Sequence, residues 1–198
     1  MITVGITGNI GSGKTTVCKV FEHLGIAVFY SDAVAKSFYN NDDVKNTIKE
    51  AFTSAIFTPD GEVDRKKLAS LVFADVRLLK KLNSIIHPLV FQCFTVWKNE
   101  HQSQKYLLFE SAILYQCGFE TLFDKIIWVR TPKKDALNRV MKRDNLSENE
   151  VKIRLKNQSI NNLKCKLADF CIDNSEHSLI MPQILQIHQN LLKISTKK

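Results

Sequence analysis

Glycine is scarce in this chain: its 198 residues hold seven, and four of those, Gly5, Gly8, Gly11 and Gly13, lie within the first thirteen positions. Backbone freedom is therefore concentrated at one place, and it is there that an unusual loop conformation is to be sought. Long apolar runs are missing as well, with none approaching the roughly 20 residues of a membrane span. The opening residues carry neither a basic n-region nor a cleavage site, so a cytoplasmic protein without membrane contact is expected. The five cysteines are odd in number, scattered and never in C-x-x-C spacing. That pattern argues against a disulfide framework and against a zinc site. No internal repeat, linker or low-complexity segment interrupts the sequence.

What is present is enough for a core. With 44% hydrophobic residues the chain can bury a substantial interior as one folding unit carrying insertions. The formal charge is +8, and residues 133–166 supply most of it, ten basic residues against four acids. A local basic excess suits a polyanion, either a nucleotide or a nucleic acid. No nucleic-acid motif or series of stacking aromatics accompanies it, which leaves the nucleotide as the expected ligand.

The glycine-rich stretch reads GNIGSGKTT, residues 8–16, and fits G-x-x-x-x-G-K-[ST] with Gly8, Gly13, Lys14 and Thr15 at the fixed positions. A backbone curled around an anion with its N–H groups turned inward needs residues without bulky side chains, which Gly11, Ser12 and Gly13 supply. The flanks agree. The β-branched run MITVGIT precedes the loop as a strand, and TTVCKVFEHL follows it as an amphipathic helix. We therefore expect Asn9, Ile10, Gly11, Ser12, Gly13, Lys14, Thr15 and Thr16 to hold a nucleotide's phosphates, with the Lys14 ammonium on the β- and γ-phosphates and the Thr15 hydroxyl on Mg²⁺.

Further along, Gly25 reads as the stop of that helix and Ile26–Tyr30 as a second strand. Helical periodicity then runs from Ser31 towards His87, with apolar positions at Leu68, Leu71, Val72, Leu78, Leu79 and Leu82 and a turn at Asp60-Gly61. Tyr106–Leu114 is expected as a strand running into a loop that starts with Glu110, and further strands are expected at Lys125–Thr131 and Asp169–Asn174. Between the last two, two helices break at Asn145 and Leu146, and the second opens with a capping box of Ser147 and Glu150. Ile180, Ile184, Ile187 and Leu191 mark a C-terminal helix. The order is that of an α/β fold with a parallel sheet of about five strands flanked by helices, a ligand site at the strands' carboxyl ends, a helical insertion and an Arg-bearing lid.

Many phosphate-loop proteins share these parts. The chain has no D-x-x-G after a strand and no N-K-x-D for reading guanine, and it is too short for a motor or transporter ATPase. A compact kinase suits the size. The segments VGITGNIGSGKTTVCKVFEHLGIAVFYSDAVAK, FTPDGEVDRKKLASLVFAD, LNSIIHPLV, RVMKRDNLSENEVKIRLKNQ and ADFCIDNS, in this order, resemble the dephospho-CoA kinase family across most of the chain. The resemblance implies Mg²⁺-dependent transfer of the ATP γ-phosphoryl group to the ribose 3′-hydroxyl of dephospho-coenzyme A, the last step in making coenzyme A. It implies a P-loop nucleotide-binding core of residues 1–32, 87–138 and 164–198, a substrate-binding insertion over 33–86 and a lid over 139–163. ATP and dephospho-CoA are the expected partners, with no nucleic acid and no membrane, in a monomer or small homo-oligomer. Another small kinase, acting on a nucleoside or nucleotide, is the nearest alternative.

Several residues take roles in this reading. Asp32, after the second strand, stands either as a helix N-cap or as the carboxylate that orients the acceptor hydroxyl and takes its proton; the resemblance favours the second. The family often has another Asp two residues earlier, where this chain has Tyr30. Glu110, where the third strand gives way to its loop, is either a carboxylate near the metal and substrate or a strand-end carboxylate without a metal role; the family more often shows Asp-x-Pro there. Arg139 and Arg143 share a helix face directed at the nucleotide, and Arg143 falls on the family's lid arginine. Arg154 and Gln158 stand in the same relation on the next helix, where Arg154 either joins the site or forms a surface salt bridge. His87, held extended by the following Pro88, is either a turn residue or a substrate contact. Asn174 is expected beside the adenine.

Overall fold

The computed structural model describes residues 1–145, 147–157 and 166–196, with side chains throughout except at Phe73 and 153–157. The described residues form two compact units, one of Met1–Tyr30 with Glu100–Lys198 and one of Ser31–Asn99.

In the first unit five strands, β1 (Ile2–Thr7), β2 (Val28–Tyr30), β3 (Tyr106–Glu110), β4 (Lys125–Arg130) and β5 (Phe170–Asp173), make a parallel sheet in the order β2-β3-β1-β4-β5. Every residue of β1 and β3 is buried. Strands covered on both faces read as continuous apolar runs instead of alternating ones, which is how ITVGIT and YLLFE read. Helix α1 (Lys14–His23) lays Val17, Cys18 and Phe21 against the sheet, together with Ile184, Ile187 and Leu191 of the C-terminal helix. Gly25 ends α1 as expected. It adopts φ 81°, its N–H reaches Glu22 O at 2.9 Å, and Ile26 N–H reaches Phe21 O at 3.0 Å, the paired bonds of a Schellman stop.

β2 begins at Val28 and not Ile26, while β3 ends at Glu110, where the loop is expected to start. The partners fix the end of β3: Glu110 is opposite Tyr30 on β2 and Ile6 on β1, and both neighbours are at or near their ends there.

The second unit is helical: α2 (Ser31–Ser37), α3 (Asp42–Ala51), α4 (Arg65–Ala74) and α5 (Val76–Glu100), with short 3₁₀ turns at Phe38–Asn40 and Ser54–Ile56. The expected turn is present, with Gly61 at φ 80° closing a small hairpin bridged at Phe57 and Val63. Asp64 caps α4, its Oδ1 accepting from the N–H groups of Lys66 and Lys67 at 3.1 Å each.

The His87-Pro88 step overturns one expectation. It is not an extended turn; both residues lie inside α5, a 25-residue helix. Proline removes the hydrogen bond to Ser84 O and crowds that carbonyl. Leu82, Ile86, Val90 and Phe94, four apart and all buried, keep one face of the helix packed across the proline. The second unit accordingly runs on to Asn99, past the Ile86 limit expected for the insertion, and begins at Ser31.

On the first unit's far edge, α6 (Lys133–Asp144) and α7 (Glu148–Asn157) flank Asn145, which takes a left-handed φ of 52°. The capping box is formed: Ser147 N–H donates to Glu150 Oε2 at 2.9 Å and Glu150 N–H to Ser147 Oγ at 3.4 Å. The last helix, α8 (Ile180–Ser195), packs beside α1.

Candidate active site

The loop between β1 and α1 leaves the sheet at its central strand. The chain departs from there to β2 on one side and reaches β4 on the other, so the loop occupies the point where strand order reverses, at the carboxyl ends. Gly13 precedes the first residue of α1 and takes φ 85°. The amides of the first helical turn have no carbonyl one turn back, and no acidic residue stands in that turn. Such a helix start presents N–H groups and a positive dipole end to an anion.

Two of the loop glycines are required by their neighbours as well as by their dihedrals. At Gly11, φ 76°, a Cβ would come within 2.6 Å of Ala136 O and 2.9 Å of Val140 Cγ2, so α6 packs on the loop's backbone. At Gly13 a Cβ would collide with the side-chain amide of Asn174.

Lys14 is buried, and its Nζ donates to Gly8 O at 3.0 Å and Asn9 O at 3.3 Å. Both acceptors belong to the loop, so the ammonium is held over the curl that it helps to shape. Three side-chain oxygens here, Thr7 Oγ1, Asn9 Oδ1 and Ser12 Oγ, are buried with no hydrogen-bond partner. Buried polar atoms of this kind carry a cost of about 1–3 kcal/mol each until something meets them. Their clustering at one loop, beside the start of α1, fits a phosphate group. Thr15 and Thr16 face solvent.

Around the loop the structure assembles a second layer. Asn174 Nδ2 donates to Ser12 O at 2.8 Å, and the Thr131 hydroxyl lies 3.1 Å from both Ser12 O and Asn174 O. Arg139 joins them, with NH2 on Asn174 O at 2.9 Å and NH1 on Thr131 Oγ1 at 3.5 Å. Arg139 and Asn174 thus come together at the phosphate loop. Thr131 was not singled out in the sequence; the available signal was its position at the carboxyl end of the β4 segment, just before Pro132.

Arg143 is not part of this group. Its guanidinium forms a two-pronged pair with the neighbouring Asp144, Nε to Oδ1 at 2.7 Å and NH2 to Oδ2 at 3.0 Å, in an exposed setting. The Arg154 side chain and Gln158 lie outside the described residues.

Glu110 is buried at the carboxyl end of β3. Its charge is felt by Cys18 on α1, whose thiol burial first, and Glu110 next, push well above the usual range. Tyr30, opposite Glu110, is likewise raised, by burial and then by the nearby Cys18, Glu22 and Glu110. Thr15 and Glu110 offer hard oxygen donors of the kind that Mg²⁺ takes alongside phosphate and water. Among the described residues no group of three or more His, Cys, Asp or Glu could hold a metal by itself.

Asp32 and His87 belong to the second unit. Asp32 is the second residue of α2, so it is not the cap of that helix; it is exposed and makes no hydrogen bond or ion pair to a described residue. His87 is half-buried on α5, and burial lowers its pKa.

A parallel sheet of this order, opened by a Gly-x-x-x-x-Gly-Lys-Thr loop with orphaned polar atoms, defines a P-loop kinase. Comparison with known proteins narrows the class: the dephospho-CoA kinase family profile matches residues 2–179, and the chain belongs to that family. It is 37% identical over 191 residues to a dephospho-CoA kinase of Porphyromonas gingivalis, covering 94% of this chain and 93% of that one. A crystal structure from Thermus thermophilus is similar with a TM-score of 0.84 and 30% identity, covering 98% and 97% of the two chains. The dephospho-CoA kinase of Campylobacter jejuni is similar with a TM-score of 0.66 and 26% identity, over 96% and 97%.

Proposed function

We propose that the protein transfers the γ-phosphoryl group of ATP to the ribose 3′-hydroxyl of dephospho-coenzyme A, in the cytoplasm, completing coenzyme A. The observation that carries this reading is the family match over residues 2–179, which spans the phosphate loop and the whole helical unit. The acceptor oxygen bonds to Pγ while the bond from Pγ to the β,γ-bridging oxygen breaks, and ADP leaves with that electron pair.

Each residue has a chemical task in that step. The loop amides from Gly11 to Thr16 bind the β-phosphate, and Lys14 neutralises charge gathering on the γ-phosphoryl oxygens. Asp32 orients the acceptor hydroxyl and takes its proton. Its exposed place in α2, uncommitted to any described partner, supports that role. Thr15 and Glu110 would hold Mg²⁺, which supplies charge neutralisation across the β- and γ-phosphates. Residues 139–163 serve as the lid, with Arg143 as its arginine, and the helical unit, with His87, takes the acceptor.

Purified protein incubated with Mg·ATP and an acceptor panel tests the reading through ADP release. Turnover with dephospho-coenzyme A, giving a product one phosphoryl group heavier, is the expected result. Turnover on a nucleoside or nucleotide with none on dephospho-coenzyme A overturns it.

A further inference from the structure

The Ser12 carbonyl of the phosphate loop accepts a hydrogen bond from Asn174 Nδ2 at 2.8 Å and lies 3.1 Å from the Thr131 hydroxyl, whose single proton is shared between Ser12 O and Asn174 O, also at 3.1 Å. Donors from two side chains directed at one carbonyl oxygen restrain the plane of its peptide. That peptide is Ser12–Gly13, whose N–H belongs to the curl that faces the anion. Its orientation decides whether the Gly13 N–H points inward.

Both donors are themselves held. The N–H of Asn174 is bonded to Arg130 O at 2.9 Å, extending the β4–β5 ladder by one step. Asp173, just before it, is pinned from α8 by Gln183, which accepts its N–H at 2.8 Å and donates to its carbonyl at 3.0 Å. Arg139 of α6 then closes the group from the other side, through Asn174 O and Thr131 Oγ1. Since Thr131 has a single hydroxyl proton, the Arg139 contact to its oxygen leaves that proton available for a carbonyl. The same helix touches the loop again at Gly11, through Ala136 and Val140.

We propose that Thr131 and Asn174 are positioning residues that latch the Ser12–Gly13 peptide in its anion-binding orientation and tie the phosphate loop to α6 through Arg139. The latch rests on the nucleotide-binding reading of the loop. It acts on phosphate affinity and not on the acceptor. It also fixes the amino-terminal half of α6 to the loop.

The test pairs variants that keep or remove the hydroxyl. Thr131→Val removes the donor at nearly constant shape, Thr131→Ser keeps it, and Asn174→Leu removes the amide without adding charge. ADP binding is measured by calorimetry, the KM values for ATP and acceptor by ADP release, and the unfolding midpoint by calorimetry. Losing one net hydrogen bond of about 1.4 kcal/mol is a tenfold change. Thr131→Val and Asn174→Leu are expected to weaken ADP binding and raise the ATP KM by about that factor, with the acceptor KM held within about twofold. Thr131→Ser is expected to restore affinity, and the midpoint of Thr131→Val to fall by no more than roughly 3–6 °C. An unchanged ADP affinity in Thr131→Val overturns the latch, as does a serine variant as weak as the valine one. An affinity loss that disappears on cooling well below a lowered midpoint overturns it too. If Asn174→Leu fails to fold, the threonine pair decides. Should the parent bind ADP but ignore dephospho-coenzyme A while the variants lose ADP affinity, the latch stands and the proposed acceptor falls.

Discussion

The Tyr106 hydroxyl meets Nδ1 of His188 at 2.6 Å, joining the first residue of β3 to α8. Tyr106 is fully buried and stands opposite Ile2, at the amino end of the sheet and away from the phosphate loop. A buried phenol needs such a partner. Tyr106→Phe removes the bond and is expected to destabilise the fold by about 1 kcal/mol. In a chain of this size that lowers the unfolding midpoint by roughly 2–4 °C. The ATP KM is expected to stay unchanged, and a raised KM would contradict a purely structural tether.

His188 and His87 also set a pH dependence. Burial lowers both pKa values below the ordinary 6.5. The unfolded chain then binds protons that the folded one refuses, so stability falls as pH drops through 6.5 and levels off below the folded values. Thermal unfolding between pH 8 and pH 5 checks the sign; a midpoint that rises as pH falls would contradict it.

Much of this fold was legible because its signals are local. The apolar strand, the loop pattern, the Gly25 stop and the Ser147–Glu150 capping box each depend on residues a few positions apart. His87 shows where such reasoning fails. A residue before proline prefers an extended backbone, yet Leu82, Ile86, Val90 and Phe94 bury one helical face across the proline and prevail. The start of β2 was hidden for another reason, since a strand's length belongs to its partner, here Leu108 of β3 opposite Val28. Thr131 and Asn174 reach Ser12 across 119 and 162 positions, and no local pattern encodes such a contact.

Lys14 carries the sharpest expectation about turnover. Its ammonium is buried and supported by two loop carbonyls. Lys14→Met keeps an unbranched side chain one atom shorter and removes the charge. It is expected to lower kcat by about 10²–10³, the usual cost of one lost transition-state donor. A kcat within threefold of the parent would remove Lys14 from the chemistry.

Asp32→Asn keeps the size and hydrogen-bonding reach of the side chain and deletes its basicity. Turnover is expected to fall by about 10²–10⁴. ADP affinity is expected to hold. Near-normal turnover with unchanged affinity would leave Asp32 as no more than a favourable charge in the first turn of α2.

Arg143 is engaged with Asp144 through both prongs of its guanidinium, so its charge reaches a nucleotide only when that pair opens. The pair is exposed, and opening it costs about 1 kcal/mol or less. If Arg143 closes over the transferring phosphoryl group, Arg143→Lys replaces a planar fork by a point charge and is expected to lower kcat at least tenfold, with the ATP KM changed less. Asp144→Asn weakens the competing pair and is expected to leave kcat at or above the parent value. Equal losses in kcat from the two variants would mean that the ion pair itself is needed, and would place Arg143 outside the reaction.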